Sequence, residues 1–384
     1  MKKQTDSRKY PAGTLHVGKP NIGNRDAFLG RVNDMLDRRW LTNNGPFVQE
    51  LESRIAARLG VKHCINVCNG TMALEIAISC LGMTGEVILP SFTFIGTAHA
   101  LQWLGITPVF CDIDPETHNL DPGKIESLIT KRTTGILGVH LWGRPCAPEA
   151  LTQIAKQHGL SLLFDAAHAF DCSHKGRMIG GFGDAEILSF HATKVFNTVE
   201  GGSIVTQNDE LAEKARRVRD FGFEGYDNVV CLGVNGKMNE LCAAFGLTNL
   251  ESVDEFVAAN RSDYEQYKKE LSGLPGLSFV EFHLEEKNNF QYMVVMVDER
   301  KAGLNRDDLI TLLHNHGVLA RRYFWPGCHR MEPYCSNDPL AGNRLPVTER
   351  IAGQVLALPN GATVSPTDVS RICGLLRQAF KAAP

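Results

Sequence analysis

Short apolar runs alternate with helical stretches along most of this chain. Strands are predicted near Cys64–Cys68, Val87–Leu89, Val109–Cys111, Gly135–Leu141, Leu160–Phe164, Ile187–Phe190 and Ser203–Thr206. Helices are predicted between them, at about Met72–Leu81, Pro148–His158 and Asp209–Phe221. Several of the strand runs are apolar throughout. A strand buried on both faces reads that way, so the pattern predicts an α/β fold with a mainly parallel sheet flanked by helices. Upstream, a helix is predicted from about Arg25 to Arg39. Asn44-Gly45-Pro46 is turn chemistry that breaks it, and a second helix over about Phe47–Leu59 follows.

After Leu250 the rhythm changes. A long helix reaches Leu271, strand-like runs follow at Leu277–Phe282 and Tyr292–Val297, and helices are expected at about Asp307–His316 and Ser365–Ala379. The expected division is an N-terminal arm over residues 1–20, a large domain over 21–255 and a smaller C-terminal α+β domain over 256–384. At roughly 150 residues per domain, 384 residues agree with two to three such units.

Composition narrows the function classes. Forty Lys+Arg against 43 Asp+Glu give a net charge of −3, without the basic excess of a nucleic-acid binder. With 43% hydrophobic and 22% charged residues, the chain can bury a large core. No run reaches the ~18 apolar residues of a membrane span. The polar start Met1–Lys9 is not a secretory signal. Eleven scattered Cys with no CxxC pair argue against a disulfide framework or a zinc site and for reduced thiols in the cytoplasm.

Three strand ends carry unusual residues, and ligands of open α/β sheets bind at the carboxyl ends of strands. Asn69-Gly70-Thr71-Met72 leads from a strand into a helix. By itself this reads as a capped helix start, but its amides and dipole also suit a phosphate. Asp165 follows the apolar Leu162-Leu163-Phe164, where a carboxylate is costly without a cationic partner. It reads either as a turn cap or as the acceptor of a protonated ring nitrogen. Lys194 ends Ser189-Phe190-His191-Ala192-Thr193-Lys194, a stretch with few other charges. A lone loop Lys is ordinarily a surface residue, whereas a desolvated one is a Schiff-base nucleophile. A phosphate cradle, an acid for a pyridinium nitrogen and a Schiff-base Lys are the three needs of pyridoxal phosphate.

The chain resembles the DegT/DnrJ/EryC1/StrS sugar aminotransferases over roughly residues 20–380, and within them the enzymes that aminate C4 of dTDP-4-keto-6-deoxyglucose. The resemblance is carried by Asn69–Leu74, Pro90-Ser91-Phe92-Thr93-Phe94, Asp165-Ala166-Ala167-His168, Ser189–Lys194, Glu200-Gly201-Gly202 and Gly233–Met238. It implies fold type I and pyridoxal 5'-phosphate as cofactor. Lys194 would form the Schiff base and shuttle the proton, Asp165 would pair with the ring nitrogen, and His168 would lie near the phenolic oxygen. Gly70, Thr71, the Met72 amide and Ser189 would form the phosphate seat, and Phe94 would pack on the ring. Asn235 would reach the phosphate of a second subunit, making a homodimer with shared sites. The implied substrates are L-glutamate and a nucleotide-linked keto sugar. Alternatives on the same scaffold are a lyase or dehydratase, or a cofactor-binding regulator.

The remaining signals are weaker. Gly180-Gly181-Phe182-Gly183 reads as a turn, and His314 and His316, two apart, do not share a helix face and make no metal site. Arg321-Arg322-Tyr323-Phe324-Trp325, with His329 and Lys237, is either a polar surface or a nucleotide-sugar contact, Arg meeting pyrophosphate and an aromatic meeting base or sugar.

Overall fold

The computed structural model describes residues 13–338 and 341–382. Seven strands form the main sheet: β1 (His63–Val67), β2 (Glu86–Pro90), β3 (Thr107–Cys111), β4 (Thr133–Val139), β5 (Ser161–Asp165), β6 (Ala185–Ser189) and β7 (Gly202–Thr206). Their spatial order is β1-β7-β6-β5-β4-β2-β3. Only β7 runs antiparallel to its neighbours in this sheet. The sheet is therefore mainly parallel, and the carboxyl ends of β1, β2, β5 and β6 share one edge.

Each strand alternates between two cores, which is why the runs are apolar throughout. Two helices, α1 (Arg25–Arg38) and α2 (Pro46–Leu59), precede the sheet; Ile65, Ile187 and Ile204 face α3 (Gly70–Cys80) and its neighbours on one side. Cys64, Leu188 and Val205 face α2 (Pro46–Leu59) on the other, together with the first half of a 32-residue helix, Glu240–Leu271. That helix changes cores along its length. Val253 and Phe256 pack under the large sheet, whereas Tyr264, Tyr267 and Leu271 pack with Ile372 and Leu376 of the helix Pro366–Ala382. There they adjoin an antiparallel three-stranded sheet, Leu277–Phe279, Met293–Val297 and Val355–Leu358.

The structure departs from the sequence reading in several places. The long helix begins at Glu240, with Asn239 as its cap, ten residues earlier than its apolar pattern shows. A helix at Ile95–Trp103 and a helix–strand pair at Pro346–Gln354 and Val355–Leu358 were not predicted. Of the expected arm, residues 1–12 lie outside the described residues. Leu15–His16, also assigned to it, instead pairs in parallel with Val318–Leu319, and Leu15 is buried.

Candidate active site

The sheet edge that gathers the ends of β1, β2, β5 and β6 opens into a cavity. Its walls include Gly70, Thr71, Phe94, Asp165, His168, Ser189 and Lys194. These residues are spread over more than a hundred positions in sequence, and the parallel sheet brings them together.

Local sequence explains each placement. Asn69 caps α3, accepting from the Met72 amide at 2.8 Å. A Cβ on Gly70 would come within 2.9 Å of Ser189 Cβ, and one on Gly202 within 2.8 Å of the Asn69–Gly70 backbone. Glycine at both positions lets the β1–α3 turn close against β6 and β7. That sets the Ser189 side chain beside the first turn of α3, where amide donors and the helix dipole favour an anion.

Asp165 terminates β5 and is 6% exposed. Its Oδ1 accepts from the Ala167 amide at 3.0 Å and its Oδ2 from the Thr97 hydroxyl at 2.8 Å. Burial raises its pKa, opposed by those two donors and by Lys194. Lys194 answers in the opposite sense. Burial lowers its pKa from 10.5 to about 8, although Asp165 favours the charged form. A neutral, nucleophilic amine is thus accessible near physiological pH.

His168 is buried, and desolvation together with the charge of Lys194 holds its pKa well below the usual value. It is neutral at physiological pH. The Trp142 amide donates to its Nδ1 at 3.2 Å, which assigns the proton to Nε2 and makes that atom a donor. The ring stacks against Phe324 at 5.6 Å, and Tyr292 lies 4.6 Å away.

Other predicted residues fall elsewhere. Tyr323 lines the cavity, whereas Met72, Asn235, Lys237, Arg321, Arg322 and His329 do not. The Met72 amide, expected to hold phosphate, is taken by Asn69. Asn235 is exposed and forms a bridge with Asp220. Lys237 pairs with Asp220 and lies over the Phe221 ring. Arg322 binds Asp307 at 2.6 Å. Arg321 places its guanidinium 5.1 Å from the centre of the Tyr323 ring. His329 corrects the sequence reading most plainly. It is 1% exposed, with Nδ1 2.6 Å from Ser91 Oγ and Nε2 2.7 Å from Glu349 Oε1, so it ties two segments together and offers nothing to a substrate. His314 and His316 meet backbone carbonyls of Ala320 and Leu312.

Sequence reasoning did not single out Thr97 and Tyr292, and it held Thr93, His191, Glu200 and Phe324 only within longer strings; all six line the cavity. Thr93 and Thr97 stand four apart, the first in the turn after β2 and the second in the first turn of the helix Ile95–Trp103, a spacing that was visible. Tyr292 and Phe324 arrive from the smaller sheet and its following segment, and no local pattern marks them.

The chain is 38% identical to a dTDP-4-amino-4,6-dideoxy-D-glucose transaminase of Shigella dysenteriae, over 95% of this chain and 98% of the relative. It is 36% identical to a GDP-perosamine synthase of Caulobacter vibrioides, over 95% and 98% of the two chains. The structure of DesI in the presence of its TDP-sugar product superposes with a TM-score of 0.91 at 44% identity, covering 96% of this chain and 93% of that one. The model of one family matches residues 24–377, and the chain belongs to that family, the DegT/DnrJ/EryC1/StrS aminotransferases.

Proposed function

We propose that this aminotransferase uses pyridoxal 5'-phosphate to move an amino group from L-glutamate to C4 of dTDP-4-keto-6-deoxy-D-glucose. The observation that carries the reading is the pair of ionisable groups lining the cavity, the half-buried Lys194 amine with its lowered pKa and the buried Asp165 carboxylate. The residues fit the cofactor. The glycine-closed turn at Gly70 supplies a seat for a phosphate beside Thr71 and Ser189, and Phe94, 58% exposed at the cavity, offers a ring face.

When bound, pyridoxal phosphate supplies an electrophilic carbon and a ring that withdraws electrons from the carbon losing its proton. The protein does the rest. Lys194 would hold the cofactor through its neutral amine and, once free, would act as the base that takes the proton from the donor's α-carbon and as the acid that gives it back. Asp165 would face the ring nitrogen and favour its protonated form, and the neutral His168, with its proton on Nε2, would be a hydrogen-bond donor beside the ring. Amino donor and keto sugar would use this one site in turn, so ping-pong kinetics are expected.

The acceptor is inferred from the Shigella relative and from DesI, whose names specify a dTDP-sugar and a TDP-sugar. Asn235, exposed and outside its own chain's cavity, suits a residue that completes the site of a second copy, and we read the working unit as a homodimer. Eleven free thiols suit a reducing, cytoplasmic setting.

The test is to incubate the protein with pyridoxal phosphate, glutamate and either dTDP-4-keto-6-deoxyglucose or its GDP-linked 4-keto counterpart. Sugar mass and 2-oxoglutarate are then measured. Amination of the dTDP-sugar with matched 2-oxoglutarate is expected. Sugar turnover without 2-oxoglutarate would mean a lyase or dehydratase, and amination of the GDP-sugar alone would overturn the nucleotide assignment.

A further inference from the structure

We infer that Thr97, backed by Thr93, is a positioning residue that holds the Asp165 carboxylate as a hydrogen-bond acceptor aimed into the cavity; this rests on the cofactor reading above. The Thr97 hydroxyl lies 2.8 Å from Asp165 Oδ2, and the Thr93 hydroxyl lies 3.1 Å from that of Thr97. An ionised carboxylate only accepts, so the Thr97 proton points at Asp165. The lone pairs of Thr97 then face Thr93, which becomes the donor of the second bond. Both residues are buried, at 2% and 1% exposure, so bulk water does not compete for these protons. The two hydroxyls form a short relay polarised toward the acid.

The charges around Asp165 show why the relay matters. Lys194 is a cation that stabilises the carboxylate. When Lys194 acts as a nucleophile it does so as the neutral amine, and its positive charge is no longer available to Asp165. The Ala167 amide and the Thr97 hydroxyl remain as donors. The amide is fixed by the turn after β5. The hydroxyl depends on one side chain in the first turn of the helix Ile95–Trp103. A hydrogen bond to a charged group is the stronger kind, so its loss is felt at the acid.

Three variants separate positioning from packing. Thr97→Val keeps the shape and removes the hydroxyl. Thr97→Ser keeps the hydroxyl and removes a methyl. Thr93→Val cuts the relay one step back. Each is measured for melting temperature, for equilibrium affinity for pyridoxal phosphate by absorbance, and for the single-turnover glutamate half-reaction. Thr97→Val should weaken cofactor affinity and slow the half-reaction by about tenfold or more. Thr97→Ser should restore both, and Thr93→Val should fall between. Equal impairment in the Ser and Val variants would overturn the inference in favour of packing. If the wild type binds pyridoxal phosphate and Thr97→Val matches it in affinity and rate, this inference alone falls. If the wild type binds none, the cofactor reading falls and takes this inference with it.

Discussion

The Lys194 amine lies 3.4 Å from the Tyr292 hydroxyl, a contact across the cavity between the segment after β6 and the residue that precedes the strand Met293–Val297 of the smaller sheet. The amine also lies 5.9 Å from the centre of the Tyr292 ring. Tyr292 is buried, and desolvation raises its own pKa, so it stays a neutral phenol across the working range. It steadies the lysine without supplying a counter-charge.

The lowered pKa of Lys194 fixes the pH dependence of cofactor attachment. With a pKa of about 8, roughly a tenth of the amine is neutral at pH 7. The rate of attachment to the apo protein should rise with pH through a midpoint near 8 and then level off. Stopped-flow absorbance measures it. A midpoint near 10.5, the ordinary value for lysine, would show that burial does not tune this amine. Borohydride reduction should leave the cofactor on the peptide containing Lys194, and Lys194→Ala should abolish turnover.

Asp165→Asn should separate catalysis from binding. An amide cannot stabilise a protonated ring nitrogen by charge, so the glutamate half-reaction should slow on the order of 100-fold or more. The proposed phosphate seat at Thr71 and Ser189 is untouched, so cofactor affinity should fall far less. Near-wild-type turnover in a folded Asp165→Asn protein would remove the acid from its assigned role.

Much of the cavity was legible because its polar residues interrupt apolar strand runs. Asp165 and Ser189 terminate β5 and β6, and Asn69 marks the turn after β1. The helix Pro148–His158 was legible to the residue, with Pro at its start and Gly159 in the left-handed conformation at its end. The helix Ile95–Trp103 was not. Gly96, Thr97, Ala98, Ala100 and Leu101 are all buried, so it shows no polar stripe to betray its period. The start of the long helix is hidden in the same way, since Ala243, Ala244 and Gly246 are small and buried. Tyr292 and the Ser91–His329–Glu349 chain are tertiary facts. Their partners lie 98, 238 and 20 residues away, and no local pattern reports them.

Shared active sites predict complementation. Lys194→Ala and Asn235→Ala homodimers should each be inactive or strongly impaired. After subunit exchange, a mixed dimer carries one cavity with both native residues, and activity should return. Exchange verified by mass spectrometry without recovered activity would keep Asn235 out of the partner's site.

Arg321 and His329, adjacent in the sequence pattern, should behave oppositely. The Arg321 guanidinium lies over the ring of Tyr323, which itself lines the cavity. A charge-assisted contact with the sugar pyrophosphate is worth roughly 1.5–3 kcal/mol, or about 10- to 150-fold in affinity. Arg321→Ala should raise the sugar KM by that order and leave the glutamate half-reaction unchanged, and an equal loss in both halves would place the residue with the cofactor or the fold. His329 has both ring nitrogens engaged and its side chain out of solvent. His329→Ala leaves Ser91 and Glu349 without that partner, at a cost of about 1–3 kcal/mol. Its signature should be a lower melting temperature with little change in sugar KM once folded protein is counted. A raised sugar KM at unchanged stability would return His329 to the substrate site.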